Sequence, residues 1–208
     1  MSVYDKEKRY KGAAPLCTHA YLLPQVFALC GPLGPEVRVL DVGCGNGAMA
    51  GEFLRAGCQV IGIDLSEQGV EIARQAYPEG RFEVMAADDG IMQRLGCEPF
   101  DLVVSTEVVE HLYDPRAFVR GCFAATKSGG RFICSTPYNG YLKNLGIALL
   151  GKFDKHANPL WDGGHIKLWS RSTLGTLMTE AGFTHLQFKG AGRLPYLWKS
   201  MVMSGDKP

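Results

Sequence analysis

The residues with the clearest chemical pattern lie in the stretch LDVGCGNGAMA, at positions 40–50. Gly43, Gly45 and Gly47 follow an apolar run, and the acid Asp41 stands two residues before the first of them. Glycines between a buried strand and a helix let the backbone turn sharply and approach a ligand closely. Two of these glycines also fit the dinucleotide pattern G-x-G-x-x-G/A, so the glycines alone do not identify the ligand.

Asp41 separates two classes of ligand. A carboxylate would be repelled by a pyrophosphate, but it would attract a ligand that carries an ammonium and a sulfonium group and could accept charge-assisted hydrogen bonds. S-adenosylmethionine is such a ligand, because its methionine end is cationic and it has no phosphate. The alternatives are that Asp41 caps the next helix or pins the loop, or that the chain is a nucleotide-dependent oxidoreductase with a site free of this repulsion. The residues favour S-adenosylmethionine as cofactor, with S-adenosylhomocysteine as product.

A second acid follows the next apolar run. Asp64 lies near the end of QVIGIDL, 21 residues after Gly43, where a carboxylate can bind both hydroxyls of a ribose. This feature is shared with NAD sites, so it supports a ribose-bearing ligand without choosing between them. Cys44, inside the glycine turn, and Leu65, directly after Asp64, complete this part of the predicted cofactor site.

Two later positions extend the predicted cofactor site. Asp88 and Asp89 follow the third apolar run, where a side chain could receive the adenine amino group, although either acid could instead cap a helix. Thr106 follows the fourth run, where backbone groups would meet the methionine portion of the cofactor.

The candidate for acid–base chemistry is His111, in VVEHL just after the fourth apolar run. Methyl transfer from a sulfonium is an in-line displacement that requires alignment, exclusion of water and, for a hydroxyl acceptor, removal of a proton. A neutral imidazole suits that proton removal at pH 7, and Glu110 could orient the ring. The alternative is that His111 caps a helix or bonds a loop carbonyl, and that Glu107 and Glu110 are structural acids bonded to loop amides.

A second group of polar and aromatic residues lies in a long insertion at residues 138–168. It includes His156, Asp162 and His165, and we predict that WDGGHIKLWS folds back over the cleft with His165 facing the acceptor. Long excursions inside a compact domain are often functional lids, but a lone histidine in one is commonly structural. Because no ligand spacing such as HxxxH is present, we predict no metal site.

The insertion also contains apolar residues at helical spacing, in YLKNLGIALLGKF. This helix either packs on its own domain or offers an apolar surface that admits a lipophilic acceptor or touches a membrane peripherally. The apolar positions are Leu142, Leu145, Leu149 and Phe153.

The elements that must position these residues follow from short apolar runs that alternate with amphipathic stretches. This pattern is typical of a parallel sheet covered by helices. Strands are predicted at 36–43, 59–65, 81–88, 100–106 and 129–137, with a closing strand pair at 183–189 and 197–204. Helices are predicted at 18–31, 48–56, 66–77, 114–126 and 170–182, and residues 1–35 form an N-terminal helical cap on a single domain.

Composition excludes several classes of protein. The chain has 208 residues and a formal net charge of +1, so there is no basic excess for nucleic acid. Its seven cysteines form no CxxC pair, which indicates reduced thiols and a cytoplasmic protein. The charged N-terminus does not resemble a signal peptide, and no apolar run reaches the ~18 to 20 residues of a transmembrane segment. We expect a monomer or homodimer.

At this point the motifs resemble a known family. VLDVGCGNG, VIGIDLSE, AADD, FDLVVSTEVVEHLYDP and KSGGRFICST, between about Val37 and Pro137, occur in the order and spacing of the class I S-adenosylmethionine-dependent methyltransferases. Through EVVEHLYDP and STPYNGYLKN the chain most resembles the ubiquinone-biosynthesis O-methyltransferase group. KSGGRF departs from the family's more usual KPGG, and both the short N-terminal region and the insertion are the chain's own.

The resemblance implies an α/β fold of Rossmann-like type. Its mostly parallel seven-stranded sheet has an antiparallel last strand and helices on both faces, with cofactor and substrate at the carboxyl ends of the strands. We therefore predict methyl transfer to a hydroxyl of a small, aromatic or lipophilic acceptor, with His111 as base. The alternatives are N-methylation of a small amine or heterocycle, and a protein that binds the cofactor without turnover.

Overall fold

The computed structural model describes residues 10, 12–15, 17–158, 160, 161 and 164–208. Asp162, predicted to belong to the histidine cluster of the insertion, lies outside the described residues, as do residues 1–9 of the predicted N-terminal cap.

Seven strands form one sheet in the order β3-β2-β1-β4-β5-β7-β6. Only β7 runs antiparallel to its neighbours, β5 and β6, so the predicted topology is confirmed. The strands are β1 Arg38–Val42, β2 Gln59–Asp64, β3 Arg81–Val84, β4 Phe100–Thr106, β5 Thr126–Pro137, β6 Thr184–Ala191 and β7 Ser200–Asp206.

Helices cover both faces of the sheet. On one face, the first three helices pack against strands β1–β3 and β5–β7. On the other face, the fourth, fifth and eighth helices pack together. Two short helices lie in the insertion, and a 3-10 turn at Val109–His111 follows β4. The helices are α1 His19–Cys30, α2 Ala48–Arg55, α3 Glu67–Ala76, α4 Ile91–Leu95, α5 Pro115–Ala125, α6 Tyr141–Leu149, α7 Phe153–His156 and α8 Arg171–Glu180.

Polar side chains cap the starts of three helices. The side chain of Ser66 accepts a hydrogen bond from the amide of Gly69 at the start of α3. Asp114 does the same for α5, which has proline in its first turn, and Ser170 forms a capping box with Thr173 at the start of α8. These side chains satisfy amides that have no partner within the helix.

The sheet carries a buried core on each face. One core centres on Phe53 of α2 and Val39 of β1. The other contains Phe118 of α5, Phe132 of β5 and Phe183, whose rings stack or meet edge-on at centroid distances of 5.2 to 6.2 Å. Because helices cover both faces, the central strands β1 and β4 are buried along almost their whole length, and their carboxyl ends have fixed positions.

The apolar face of α6 does not pack on the domain. Leu142, Leu145 and Leu149 are 50%, 41% and 77% exposed, and Phe153 of α7 is 56% exposed. Lys143, in contrast, is buried and donates hydrogen bonds to the carbonyl oxygens of Tyr138 and Lys199. The helix is therefore anchored through a lysine, and its apolar side faces outward. Within the described part of the chain, no helix combines the length and apolarity required to cross a bilayer.

Candidate functional site

A cavity of about 170 Å³ opens beyond the carboxyl ends of β1, β2 and β4. Parallel strands end at the same edge of a sheet, and crevices at that edge are the usual ligand sites of open α/β folds. Its walls include residues of the glycine loop, the ends of these strands, the turn after β4, the start of α1 and one residue of the insertion.

The glycine loop forms the floor of the cavity and depends on glycine at three positions. Gly43, Gly45 and Gly47 have φ angles of 81°, 52° and 78°, a region that side chains other than glycine rarely adopt. The amides of Gly43 and Cys44 both donate to the carbonyl oxygen of Ile63, at 2.7 and 3.0 Å. These bonds hold the loop against the end of β2, where Cys44 lines the cavity and burial raises the pKa of its thiol.

Asp41, at the end of β1, is fully buried and lines the cavity. Neither of its carboxylate oxygens forms a hydrogen bond of good geometry with the described residues. Burial, and next the carboxylate of Asp64, raises the pKa of Asp41 to about 7. The backbone amide of Ala50, in the first turn of α2, favours the ionised form and acts to lower this pKa, so the carboxylate also interacts with the start of this helix. A buried acid whose oxygens form no hydrogen bond of good geometry with the described residues fits a cationic group of a ligand.

Asp64 also lines the cavity, and the loop holds its carboxylate in place. One oxygen, Oδ2, accepts from the amide of Gly45 at 2.8 Å, and Oδ1 accepts from the amide of Ser66 at 2.7 Å. Each carboxylate oxygen has about two acceptor positions, so both oxygens retain capacity for a pair of ribose hydroxyls. Leu65 lines the cavity beside Asp64 and is 44% exposed.

Asp88 and Asp89, predicted to receive the adenine amino group, do not line the cavity, and their contact with adenine remains a prediction. Asp88 accepts from the amide of Gly90 at 2.8 Å and from Arg94 at 2.6 Å. Asp89 pairs with Arg120 at 3.1 Å. Each acid is thus engaged by an arginine, and neither provides a side-chain cap for α4, which begins after Gly90. The cavity wall at the end of β3 is apolar instead, formed by Met85 and Ala87.

Beyond β4, the cavity is lined by Thr106, as predicted, and by Glu107, which was not predicted as a site residue. Glu107 has a φ angle of 56°, an uncommon conformation that tends to occur at functional positions. Its carboxylate accepts hydrogen bonds from the hydroxyls of Ser135 and Ser200, at 2.9 and 3.2 Å. The side chain is thus fixed to the ends of β5 and β7.

His111 lines the same cavity and is 9% exposed. Its Nδ1 lies 3.1 Å from the carbonyl oxygen of Gly164. Because a carbonyl oxygen only accepts, Nδ1 carries the hydrogen in this contact and Nε2 holds the lone pair of the neutral ring. Nε2 is 3.8 Å from the carboxylate of Glu110, which is buried beneath it. This arrangement favours a tautomer that can take up a proton at Nε2.

Part of the insertion lies beside His111, whereas its closure over the cleft remains a prediction. The ring of His165 is 5.1 Å from that of His111, and Trp161 contacts both rings at 5.1 and 6.1 Å. Trp161 lines the cavity but His165 does not. The amides of Ile166 and Lys167 both donate to the carbonyl oxygen of Glu110 at 3.0 Å, which fixes the returning segment to the 3-10 turn.

Three residues at this contact lie close enough to share an ion. Ligand atoms of Glu110, His111 and His165 are within 4.8 Å of one another. Sequence spacing did not indicate this group, because the third member is more than fifty positions from the other two. A cluster of two histidines and a carboxylate suits several divalent metals, although the prediction of no metal is not tested by geometry alone.

Comparisons with known proteins agree on the type of domain. The profile of the family described as "Methyltransferase domain" matches residues 17–187. A ubiquinone biosynthesis O-methyltransferase of Ruegeria sp. (strain TM1040) is 31% identical over 176 residues, which cover 82% of this chain and 69% of that protein.

Solved structures share the fold. The magnesium protoporphyrin IX methyltransferase of Synechocystis PCC 6803, solved with bound S-adenosylhomocysteine, superposes with a TM-score of 0.62 at 19% identity, covering 90% of this chain and 80% of that one. The YcgJ protein of Bacillus subtilis gives a TM-score of 0.66 at 20% identity, covering 89% and 97%.

Proposed function

The chain belongs to the family of S-adenosylmethionine-dependent methyltransferases, and on that premise we propose that it methylates a hydroxyl group of a small, aromatic or lipophilic molecule. S-adenosylmethionine supplies the reaction with a methyl group on a positively charged sulfur. The protein's part is to hold the cofactor, align the acceptor with the S–CH₃ axis, exclude water and receive the acceptor's proton.

The observation that carries the cofactor part of this proposal is the buried carboxylate of Asp41. It is fully buried in the cavity wall, and its oxygens form no hydrogen bond of good geometry with the described residues, which is costly unless a ligand supplies one. The ammonium of the cofactor's methionine end is a suitable partner, and Asp64 is placed for the ribose hydroxyls. A pyrophosphate at the same loop would be repelled by Asp41.

His111 is the proposed base. With Nδ1 bonded to the carbonyl oxygen of Gly164, Nε2 accepts the hydroxyl proton as the new O–CH₃ bond forms. The imidazolium that results lies next to the carboxylate of Glu110, 3.8 Å away, which stabilises its positive charge. Removal of a base of this kind typically lowers turnover by ~100-fold or more.

The proposed acceptor class rests on the character of the walls near His111. Val108, Leu112 and the ring of Trp161 line this side of the cavity, and apolar and aromatic walls favour apolar or planar molecules. The outward apolar face of α6 belongs to the same insertion as Trp161, consistent with a lipophilic acceptor.

The test begins with calorimetry of the purified protein. We expect binding of S-adenosylmethionine and S-adenosylhomocysteine but not of NAD; the reverse pattern would make the cofactor assignment wrong. Methyl transfer is then compared between catechol and its amine analogue o-aminophenol, with the wild type and His111→Ala. A neutral amine is already nucleophilic and needs less help from a base. If the enzyme methylates nitrogen in preference to oxygen, and His111→Ala does not lower turnover, the acceptor is an amine and the proposed hydroxyl acceptor is wrong.

A further inference from the structure

The chain that precedes and begins α1 supplies a wall of the cavity. Tyr10 lines it, and so do Thr18 and His19 at the helix start. We call the described residues of 10–18 the N-terminal clamp. None of these residues belongs to the glycine motif or to the strand ends, so the motifs that identify the cofactor do not account for their position.

Two glycines leave room for the ring of Tyr10. A Cβ atom on Gly45 would overlap the tyrosine hydroxyl oxygen, and one on Gly69 would come within 3.0 Å of ring carbon Cε2. The ring therefore packs directly on the backbone of the glycine loop and of the first turn of α3. Burial, and next the nearby carboxylate of Asp64, raises the pKa of Tyr10. Like an ordinary tyrosine hydroxyl, that of Tyr10 is protonated at neutral pH, and it can donate a hydrogen bond.

Asn46 ties the N-terminal clamp to the glycine loop. This residue is only 4% exposed, and its Nδ2 donates to the carbonyl oxygens of Gly12 and Ala14, both at 2.9 Å and more than thirty positions earlier in the chain. Its Oδ1 accepts from the amide of Ala48 at 3.4 Å. A buried side chain that uses both amide hydrogens on one distant segment fixes that segment's position.

We propose that Tyr10 is a cofactor-binding residue and that Asn46 is the positioning residue that holds it against the bound cofactor. The inference rests on the proposed function, because the occupant is S-adenosylmethionine or its product. The ring of Tyr10 stands beside Asp64, the predicted ribose ligand, and covers the bound cofactor from the side of the glycine loop. Release of the product then requires the clamp to move, so the clamp acts mainly on the dissociation rate.

The experiment measures binding of S-adenosylhomocysteine, without turnover. Its dissociation constant is determined by calorimetry, and its dissociation rate by stopped-flow displacement. The variants are Tyr10→Ala, Tyr10→Phe, Asn46→Ala and the double variant Tyr10→Ala/Asn46→Ala. Tyr113→Ala is the matched control, since Tyr113 is 87% exposed and does not line the cavity.

We expect Tyr10→Ala to raise both the dissociation constant and the dissociation rate by ~10-fold, the scale of losing one packed ring. Tyr10→Phe has a smaller effect, because it loses only the hydroxyl. Asn46→Ala resembles Tyr10→Ala, and the double variant is no weaker than either single one, since both changes remove the same contact. Tyr113→Ala binds like the wild type.

Wild-type affinity of Tyr10→Ala for S-adenosylhomocysteine would overturn the inference. A double variant whose fold-increase in dissociation constant equals the product of the two single increases would overturn it as well. The second result would mean that Asn46 acts on the cofactor independently of Tyr10. If Asn46→Ala does not fold, the two Tyr10 variants decide alone. A wild-type protein that does not bind S-adenosylhomocysteine overturns the proposed function together with the inference, whereas a binding wild type with unaffected Tyr10 variants overturns only the inference.

Discussion

Replacing Asp41 with asparagine should stabilise the empty protein while it weakens cofactor binding. The carboxyl group is fully buried, and its pKa is raised from 3.8 to about 7. An unfolded chain therefore releases this proton at a lower pH than the folded protein does, and the folded state loses stability as the pH rises from about 4 to about 7. Each pH unit in that window costs ~1.4 kcal/mol, so the full effect is about 4 kcal/mol above pH 7.

The variant Asp41→Asn has no proton to lose, so its stability lacks this pH dependence. We expect the difference in free energy of unfolding, variant minus wild type, to grow by ~2 kcal/mol between pH 5.5 and pH 7 and to level off at higher pH. Urea denaturation at pH 5.5, 7 and 8, without ligand, measures this difference. Comparing the change with pH removes any constant effect of burying an amide in place of an acid.

Binding should respond in the opposite direction. Loss of a charge-assisted hydrogen bond of ~1.5 to 3 kcal/mol weakens S-adenosylhomocysteine binding by ~10- to 100-fold at pH 8. In the wild type, binding at pH 7 should release a fraction of a proton, seen as a dependence of the calorimetric enthalpy on buffer, because the ligand's ammonium favours ionised Asp41. The reasoning would be refuted if the free energy of unfolding changed with pH in the same way in variant and wild type and both bound S-adenosylhomocysteine with equal affinity. Asp41 would then be a structural acid.

Other predictions concern the remaining parts of the site. His111→Ala should keep its affinity for S-adenosylhomocysteine but lose ~100-fold in turnover; turnover at the wild-type rate would leave alignment alone to explain the reaction. Asp64→Asn should weaken binding of S-adenosylhomocysteine in calorimetry, because an amide cannot accept both hydroxyls and the loop amides equally well, and unchanged affinity would contradict its assignment to the ribose. EDTA should leave turnover unchanged, whereas a loss restored by a divalent cation would make Glu110, His111 and His165 metal ligands. Leu149→Ala should change the free energy of unfolding in urea by less than ~0.5 kcal/mol, since this leucine is 77% exposed, and a loss typical of a core leucine would contradict the outward orientation of α6.

The fold was predictable wherever local pattern and burial agree. The predicted fourth strand coincides with β4, because its run of apolar residues is buried on both faces of the sheet. The third was predicted to reach Asp88, but β3 ends at Val84. It pairs only with β2, so fewer hydrogen bonds hold its far end in the sheet. The five-residue helix α4 was missed, because so short a segment carries no periodic signal.

The cofactor site was predictable only where it is local in sequence. Asp41, the glycines and Asp64 fall within 24 positions of one another, so their spacing reports their proximity. Tyr10 reaches the same cavity through a contact that no spacing rule encodes. Asp88 and Asp89 show the converse: arginines six and thirty-one positions later engage their carboxylates, and a single sequence does not reveal which acids are already paired.

The backbone bonds between the insertion and the 3-10 turn restrict how this protein could be redesigned. The carbonyl oxygen of Glu110, in the 3-10 turn, accepts hydrogen bonds from two amides of the insertion. The carbonyl oxygen of Gly164, in the insertion, accepts one from Nδ1 of His111 in the turn. Grafting a different insertion to change the acceptor would therefore alter the orientation and tautomer of that histidine. A successful graft would have to preserve the chain path from Gly164 to Lys167 and vary only the residues before it.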